Sequence, residues 1–186
     1  MSGPQSAAPA RGAKSSDKTR RWLLAGAGAA AAAVGAGIAL RRLEPEATES
    51  PRFWTLSYPT PDGGTIRMAD LRGRPLLLNF WAMWCPPCVD EMPLLDRFYT
   101  ENKANGWQVL GLAVDQLDPV KRFLGKLPVQ FPIGLAGLAG TEIARELGNA
   151  AGGLPFSVLF DAEGKARERK LGRLSPDELA AWRRAA

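Results

Sequence analysis

Two cysteines, Cys85 and Cys88, are the residues of this chain whose type and spacing most directly suggest chemistry. They are separated by Pro86 and Pro87. Cysteines at this spacing can exchange disulfides with a partner, close a small structural loop, or contribute two thiolates to a metal site. A loop this short gains little stability from closure, because the entropy removed from the unfolded chain grows with loop length. Thiol–disulfide exchange is therefore the favoured interpretation.

The composition excludes several other kinds of chemistry. The 186 residues include no histidine, so neither a Ser-His nor a Cys-His nucleophile pair can form. Two cysteines are also too few for a four-thiolate zinc site. Two thiolates with Met83 or Met92 could hold copper(I), so a copper-delivery or copper-binding module stays open as an alternative. We expect no cofactor and no resident metal.

The elements around the pair favour a reactive Cys85. Residues 75–81 form an apolar run that predicts a buried strand, and from Pro86 onward apolar residues recur at helical spacing. Cys85 would then lie at a helix N-terminus, where the helix dipole and unpaired N–H groups stabilise a thiolate. Cys88, one turn further on, would be placed to attack a mixed disulfide that Cys85 forms.

The remaining sequence predicts an α/β domain with a mixed central sheet, because short apolar runs alternate with helical patterns. Strands are expected at 54–58, 65–68, 75–81, 108–114, 156–161 and 165–171, with a hairpin joining the first two and another joining the last two. Helices are expected at 86–103, 118–126 and 141–147. A last helix should follow Ser175, which with Pro176 and Glu178 has the pattern of a capping box.

The N-terminal part of the chain differs from this domain in composition. We predict a disordered segment at 1–19, an apolar span at 20–40, a linker at 41–52 and the folded domain at 53–186. The uncharged run at 22–40 would measure roughly 28 Å as a helix, about the hydrocarbon thickness of a bilayer. A retained membrane anchor is favoured over a cleaved export signal or a buried soluble helix.

Charge gives the span an orientation and argues against nucleic acid as a partner. Five basic residues precede the span and two follow it, which predicts a cytoplasmic N-terminus and a domain on the other side of the membrane. Residues 1–43 hold seven Lys or Arg against one Asp, whereas the rest of the chain is almost neutral. Nucleic-acid binding requires a basic face on the folded part, so we expect none.

The segment NFWAMWCPPCVDEMP, residues 79–93, resembles the active-site segment of the thioredoxin superfamily. More narrowly, it is similar to the membrane-anchored TlpA/ResA/CcmG-like group of bacterial thiol–disulfide oxidoreductases, and the resemblance covers about residues 53–186. It implies a thioredoxin-like fold with an N-terminal hairpin extension, preceded by one transmembrane helix. It also implies a protein disulfide reductase whose Cys85 attacks and whose Cys88 resolves, the two cysteines forming a disulfide in the oxidised state.

The resemblance assigns further roles near the pair. Pro155 matches the proline that the superfamily holds in the cis form, and Leu154 before it would offer backbone groups to a bound peptide. The alternative is an ordinary trans-proline turn. Trp84 would cover the sulfur of Cys85 and contact the substrate, or it would simply be part of the core.

Glu91 is a candidate proton acceptor. It stands six residues after Cys85, as in the TlpA/ResA-like group, whereas ordinary thioredoxins carry a buried Asp at the position of Asn79. A partly buried carboxylate near the pair could take the proton of Cys88 when that thiol attacks. The alternative is a solvated helix glutamate, like the neighbouring Asp90.

These features predict a periplasmic disulfide reductase held in a bacterial inner membrane by a single span. The clients that the resemblance implies are apocytochrome c or the copper-site proteins of a respiratory oxidase. A membrane thiol reductase would have to supply electrons, because an oxidising compartment otherwise leaves the pair oxidised. The two prolines between the cysteines predict a less acidic Cys85 and a more reducing pair than in strongly oxidising relatives. A dithiol oxidase on the same fold is the main alternative.

Overall fold

The computed structural model describes residues 51–186, and every structural statement below refers to them. The helices are α1 (Pro51–Trp54), α2 (Pro86–Asn102), α3 (Leu117–Lys126), α4 (Gly140–Glu146) and α5 (Pro176–Ala185). The strands are β1 (Ser57–Pro59), β2 (Thr65–Arg67), β3 (Leu76–Trp81), β4 (Gln108–Ala113), β5 (Ile133–Leu135), β6 (Phe156–Phe160) and β7 (Ala166–Leu171). Short 3-10 helices lie at Met68–Leu71, Lys103–Asn105 and Gly137–Ala139.

The central sheet is mixed, as the sequence predicts. Its strand order is β5-β4-β3-β6-β7, while β1 and β2 form a separate antiparallel hairpin. Strands β3, β4 and β5 are parallel, and β6 runs antiparallel to both β3 and β7. The C-terminal ends of β3, β4, β5 and β7 therefore lie at the same edge of the sheet as the start of β6. We call this edge the active edge, because both cysteines follow β3 there.

Apolar residues cover both faces of the sheet. This explains why every residue of β3 is buried and why all of them except Asn79 are apolar. Leu76, Leu78 and Phe80 face one layer, which includes α1, α4 and the β1–β2 hairpin. Leu77 and Trp81 face the other layer, where α2, α3 and α5 pack. Because successive strand residues alternate faces, the α2 side of β3 is the side of the odd-numbered residues.

Two differences from the sequence predictions concern short elements. The strand expected from Trp54 begins only at Ser57, and Trp54 ends helix α1, which starts within the segment 41–52 that was assigned to the linker. The rings of Phe53 and Trp54 lie 5.3 and 5.0 Å from that of Phe160, so packing on β6 holds them in the helix. Strand β5 was not predicted at all.

The capping box predicted at the start of the last helix, α5, is confirmed. The Glu178 N–H donates to Ser175 Oγ at 3.2 Å, and the Ser175 N–H donates to Glu178 Oε2 at 2.8 Å. This is a complete capping box, with Pro176 in the first turn. No helix within residues 51–186 is long and apolar enough to cross a bilayer. The predicted span at 20–40 and the segment at 1–19 lie outside the described residues.

Candidate active site

The two cysteines lie where β3 passes into α2, and in this structure they form a disulfide. Cys85 is the N-cap residue of α2 and has 5% of its surface exposed, whereas Cys88, inside the first turn, is fully buried. Both residues are thus largely buried, and Cys85 is the more exposed of the two. This division of exposure fits one attacking cysteine and one resolving cysteine.

The first turn of α2 leaves few backbone donors for a thiolate. Pro86 and Pro87 have no N–H, and the N–H groups of Cys88 and Val89 donate to the Cys85 carbonyl at 3.0 and 3.2 Å. Prolines are tolerated here because the N–H groups of a first helical turn have no partner within the helix. The same prolines remove two donors that would otherwise stabilise a Cys85 thiolate.

The loop before Cys85 is fixed by an aspartate that the sequence reasoning did not select. The Met83 N–H donates to Asp115 Oδ2 at 3.0 Å, and the Gln116 N–H donates to Asp115 Oδ1 at 2.8 Å. Asp115 lies two residues after the end of β4. Its place directly after the strand predicted at 108–114 was the signal that could have identified it. Trp84 is 65% exposed, so the interpretation of Trp84 as core is wrong.

The proline loop lies beside the cysteine loop at the active edge, because Phe80 of β3 pairs with Phe156 of β6. The Leu154–Pro155 peptide bond is cis, so the alternative of an ordinary trans-proline turn is wrong. The Gly172 N–H donates to the Pro155 carbonyl at 2.8 Å and so ties this loop to the end of β7. On the other side, Asn149 Nδ2 donates to the Gly153 carbonyl at 2.8 Å.

Glu91 is fully buried beneath this edge, so its interpretation as a solvated helix residue is wrong. Asn79 Nδ2 donates to Glu91 Oε1 at 2.6 Å, and the Leu174 N–H donates to Glu91 Oε2 at 2.9 Å. Cys88 and Glu91 are three residues apart on α2, a spacing that places side chains on the same face of a helix. The carboxylate thus lies on the Cys88 side of the helix, held from β3 and from the loop before α5.

Burial is the main influence on the acidity of this carboxyl group. It raises the pKa of Glu91 from 4.5 to about 7, against the opposing effects of the Leu174 N–H, the Asn79 amide and the Arg173 guanidinium. Arg173 also lies 3.6 Å from the exposed Asp90. A group that titrates near neutral pH can both accept and return a proton under physiological conditions.

Exposed apolar side chains collect at the active edge. The large hydrophobic residues of the described chain with the most exposure are Met83, Trp84, Leu117, Leu138 and Leu171. Each follows, or ends, a strand whose C-terminus lies at this edge. An apolar rim around a reactive sulfur can contact an unfolded or extended protein segment.

Among residues 51–186, no cluster of three or more His, Cys, Asp or Glu side chains is arranged to hold a metal ion. The two cysteines are bonded to each other in this structure.

Comparison with known proteins agrees with this geometry. The Redoxin family matches residues 43–181, which is most of the chain. The chain belongs to the Redoxin family. Thiol-disulfide oxidoreductase ResA of Bacillus thuringiensis (strain Al Hakam) is 34% identical over 135 residues, which cover 72% of this chain and 74% of that protein.

Solved structures show the same fold. A thiol:disulfide interchange protein of the thioredoxin family from Chlorobium tepidum TLS is similar with a TM-score of 0.61 and 28% identity, over 70% of this chain and 92% of that one. StoA from Bacillus subtilis has the same fold, with a TM-score of 0.56 and 24% identity over 69% and 97% of the two chains. The chain is thus a redox enzyme, a thiol–disulfide oxidoreductase with a thioredoxin-like fold.

Proposed function

We propose that this enzyme reduces disulfides in exported proteins through Cys85 and Cys88. The observation that carries the proposal is the unequal exposure of the pair above a buried carboxylate. Cys85, at a helix N-terminus, keeps 5% of its surface exposed, Cys88 keeps none, and Glu91 lies on the Cys88 side of the same helix. This arrangement allows attack from outside and resolution from within.

The reaction has two exchange steps. The Cys85 thiolate attacks a client disulfide, a bond forms between Cys85 and one client sulfur, and the second client sulfur leaves with the electron pair. The Cys88 sulfur then attacks Cys85, the bond to the client breaks, and the thiol proton of Cys88 passes to Glu91. Each client sulfur leaves as a thiolate; one takes the proton that Glu91 received and the other takes a proton from solvent, so the client ends as two thiols and the enzyme as a disulfide. A membrane thiol reductase would return two electrons to the pair.

Client binding is assigned to the two loops at the active edge. In this proposal the backbone of Leu154 forms main-chain hydrogen bonds with an extended client segment, and the Pro155 ring packs against that segment. Trp84 would cover the apolar side of that segment, which its 65% exposure permits. The exposed Leu171 side chain would extend the same apolar contact on the other side of Pro155.

The location proposed is the periplasmic face of a bacterial inner membrane. The support is the uncharged run at 22–40 with its excess of preceding basic residues, which lies outside the described part of the chain. The clients that fit this location are apocytochrome c and the copper-site proteins of a respiratory oxidase. Both must keep cysteines reduced in an oxidising compartment before their metal centre is assembled.

A resolving-cysteine variant tests this proposal. With Cys88→Ser, Cys85 should remain bound to its client as a mixed disulfide that a reductant releases. We expect an apocytochrome c or an oxidase copper-site protein in that adduct, identified by mass spectrometry of the membrane fraction. The double variant Cys85→Ser/Cys88→Ser is the matched control and should capture neither. An absence of both client classes from the Cys88→Ser adduct would contradict the proposal.

A further inference from the structure

Asn79 is a buried polar residue in the middle of β3, and the exchange chemistry described above gives it no role. Its side chain has no exposed surface and faces α2, where its Nδ2 donates to Glu91 Oε1 at 2.6 Å. The same nitrogen lies 2.9 Å from Oγ of Ser157, which is paired with Asn79 across β3 and β6. Asn79 Oδ1 is buried and has no hydrogen-bond partner.

An amide in this position matches the charged form of Glu91. A carboxylate only accepts hydrogen bonds, so it requires the NH₂ end of the amide, and the second amide hydrogen is available to the Ser157 oxygen. Hydrogen bonds to a charged group are among the strongest in proteins. An apolar residue in place of Asn79 would leave Glu91 Oε1 buried without this donor, which disfavours the carboxylate.

The same amide also matches the protonated form. A carboxylic acid donates one hydrogen bond, and an amide turned by half a rotation about its last bond presents Oδ1 to that proton. The Ser157 hydroxyl can rotate to donate to Oδ1 as well, because a hydroxyl both donates and accepts. The buried Oδ1 atom, unpartnered while Glu91 is charged, then has two donors.

We propose that Asn79 is a positioning residue that keeps Glu91 in place in both protonation states by reversing its side-chain amide, with Ser157 as its partner. The inference rests on the proposed role of Glu91 as acceptor of the Cys88 proton. When the Cys88 sulfur attacks the mixed disulfide and its proton moves to Glu91, the carboxyl group changes from acceptor to donor. Asn79 allows this change without movement of α2 or of the loop that carries Leu174.

Other groups also act on Glu91 and must be held constant in a test. They are the Leu174 N–H, the Arg173 guanidinium with the adjacent Asp90, and the Cys88 thiol one turn earlier on α2. Substitution of Asn79 changes none of them. A shift in Asn79→Leu therefore reports the loss of the amide, whereas a shift in Asn79→Asp reports the added charge as well.

The test follows the resolving step as a function of pH. The full-length reduced chain is mixed with the aromatic disulfide dithiobis(nitrobenzoate). Attack by Cys85 releases the first thionitrobenzoate, and attack by Cys88 on the mixed disulfide releases the second. The rate of the second release should rise with pH through the titration of Glu91, and Glu91→Gln should remove that rise.

Asn79→Asp removes the amide and places a second carboxylate at hydrogen-bond distance from Glu91, so it tests whether the two side chains are in contact. Adjacent like charges favour protonation, so the midpoint of the pH profile of the second release should rise by about one pH unit or more. Below that midpoint, the fraction of Glu91 in the carboxylate form falls about tenfold. Asn79→Leu should move the midpoint in the same direction by less. Asn102→Asp is the matched control, a buried asparagine near the end of α2 that does not contact Glu91, and should leave the midpoint in place.

A measurement on the wild-type protein gives a test that does not depend on whether an Asn79 variant folds. In wild-type protein labelled with nitrogen-15, the side-chain amide resonances of Asn79 should titrate with the midpoint of the second release. In Glu91→Gln they should not titrate. Asn79 resonances that stay constant over this pH range would overturn the inference.

The outcomes separate this inference from the proposed function. If Glu91→Gln removes the pH-dependent rise while both Asn79 variants keep the wild-type midpoint, Asn79 is not a positioning residue, although Glu91 remains the acceptor. If Glu91→Gln leaves the rise unchanged, Glu91 is not the acceptor, and the role inferred for Asn79 is overturned as well. A shift in Asn79→Leu that is absent from Asn102→Asp, together with titration of the Asn79 amide resonances in the wild type, supports the inference.

Discussion

At the scale of single residues, burial of Glu91 links the stability of the fold to pH. The pKa of Glu91 is raised from 4.5 to about 7, so the folded protein keeps a proton that the unfolded chain releases across that window. The folded state therefore binds more protons, and the free energy of unfolding falls as pH rises through the window and levels off above it. A shift of about 2.5 units corresponds to about 3 kcal/mol.

We predict that Glu91→Gln removes most of this fall, because glutamine does not titrate. Urea unfolding of wild type and variant at a series of pH values from about 5 to about 8 measures the difference. Glu101→Gln, an exposed position on the same helix, is the control and should follow the wild type. If the free energy of unfolding changed with pH equally in wild type and Glu91→Gln, the raised pKa assigned to Glu91 would be contradicted.

The prolines between the cysteines predict a second effect at residue scale. Pro86→Ala restores an N–H in the first turn of α2, and an added donor near the sulfur favours the thiolate. The pKa of the Cys85 thiol should fall by on the order of half a unit. The pH dependence of alkylation by iodoacetamide measures it. Pro93→Ala, further along the same helix, should leave this pKa unchanged. An unchanged pKa of the Cys85 thiol in Pro86→Ala would contradict the effect assigned to the prolines.

At the scale of elements, the start of α5 combines a structural and a functional contact. Ser175 caps the helix, and the preceding Leu174 donates its N–H to Glu91. Ser175→Ala removes the side-chain acceptor and should lower the free energy of unfolding by about 1 kcal/mol. Urea unfolding checks the value. Ser175→Asp keeps an acceptor and should stay close to the wild type, so an equal loss in both variants would show that capping is not the cause.

Elements with strong local signals could be predicted from the sequence. The capping box at Ser175 and the apolar runs of β3, β4 and β6 are encoded within a few neighbouring residues. Helix α1 could not be predicted, because Phe53 and Trp54 favour strands locally and become helical through packing on Phe160. Strand β5 has three residues, too few for a recognisable period.

In the candidate site, too, residues in local motifs could be predicted from the sequence, whereas contacts between distant parts of the chain could not. The cysteine pair, Glu91 and Pro155 stand in recognisable local motifs. The partners of Glu91 do not, because Asn79 and Leu174 come from 12 and 83 residues away along the chain. Such contacts exist only once the sheet and α2 have packed. Trp84 was misjudged as a possible core residue because large aromatic residues are usually buried.

At the scale of the whole molecule, the topology brings reactive and apolar groups to one edge. Parallel β3, β4 and β5 all end there, and β6 begins there beside β3, so the loops with Cys85 and Pro155 are neighbours. The exposed apolar side chains of the described chain lie at the same edge. This distribution leaves one surface suited to a client segment.

The reduction potential of the Cys85–Cys88 pair in the full-length chain tests the central claim most directly. It can be measured by equilibration with dithiothreitol or glutathione while tryptophan fluorescence is followed. Thioredoxin-fold pairs range from about −270 mV in thioredoxin to about −120 mV in strongly oxidising proteins, a span of roughly 7 kcal/mol. The account predicts a value near the reducing end, which suits a reductase supplied with electrons. A value near the oxidising end would make the enzyme a dithiol oxidase and contradict the proposed direction of electron flow.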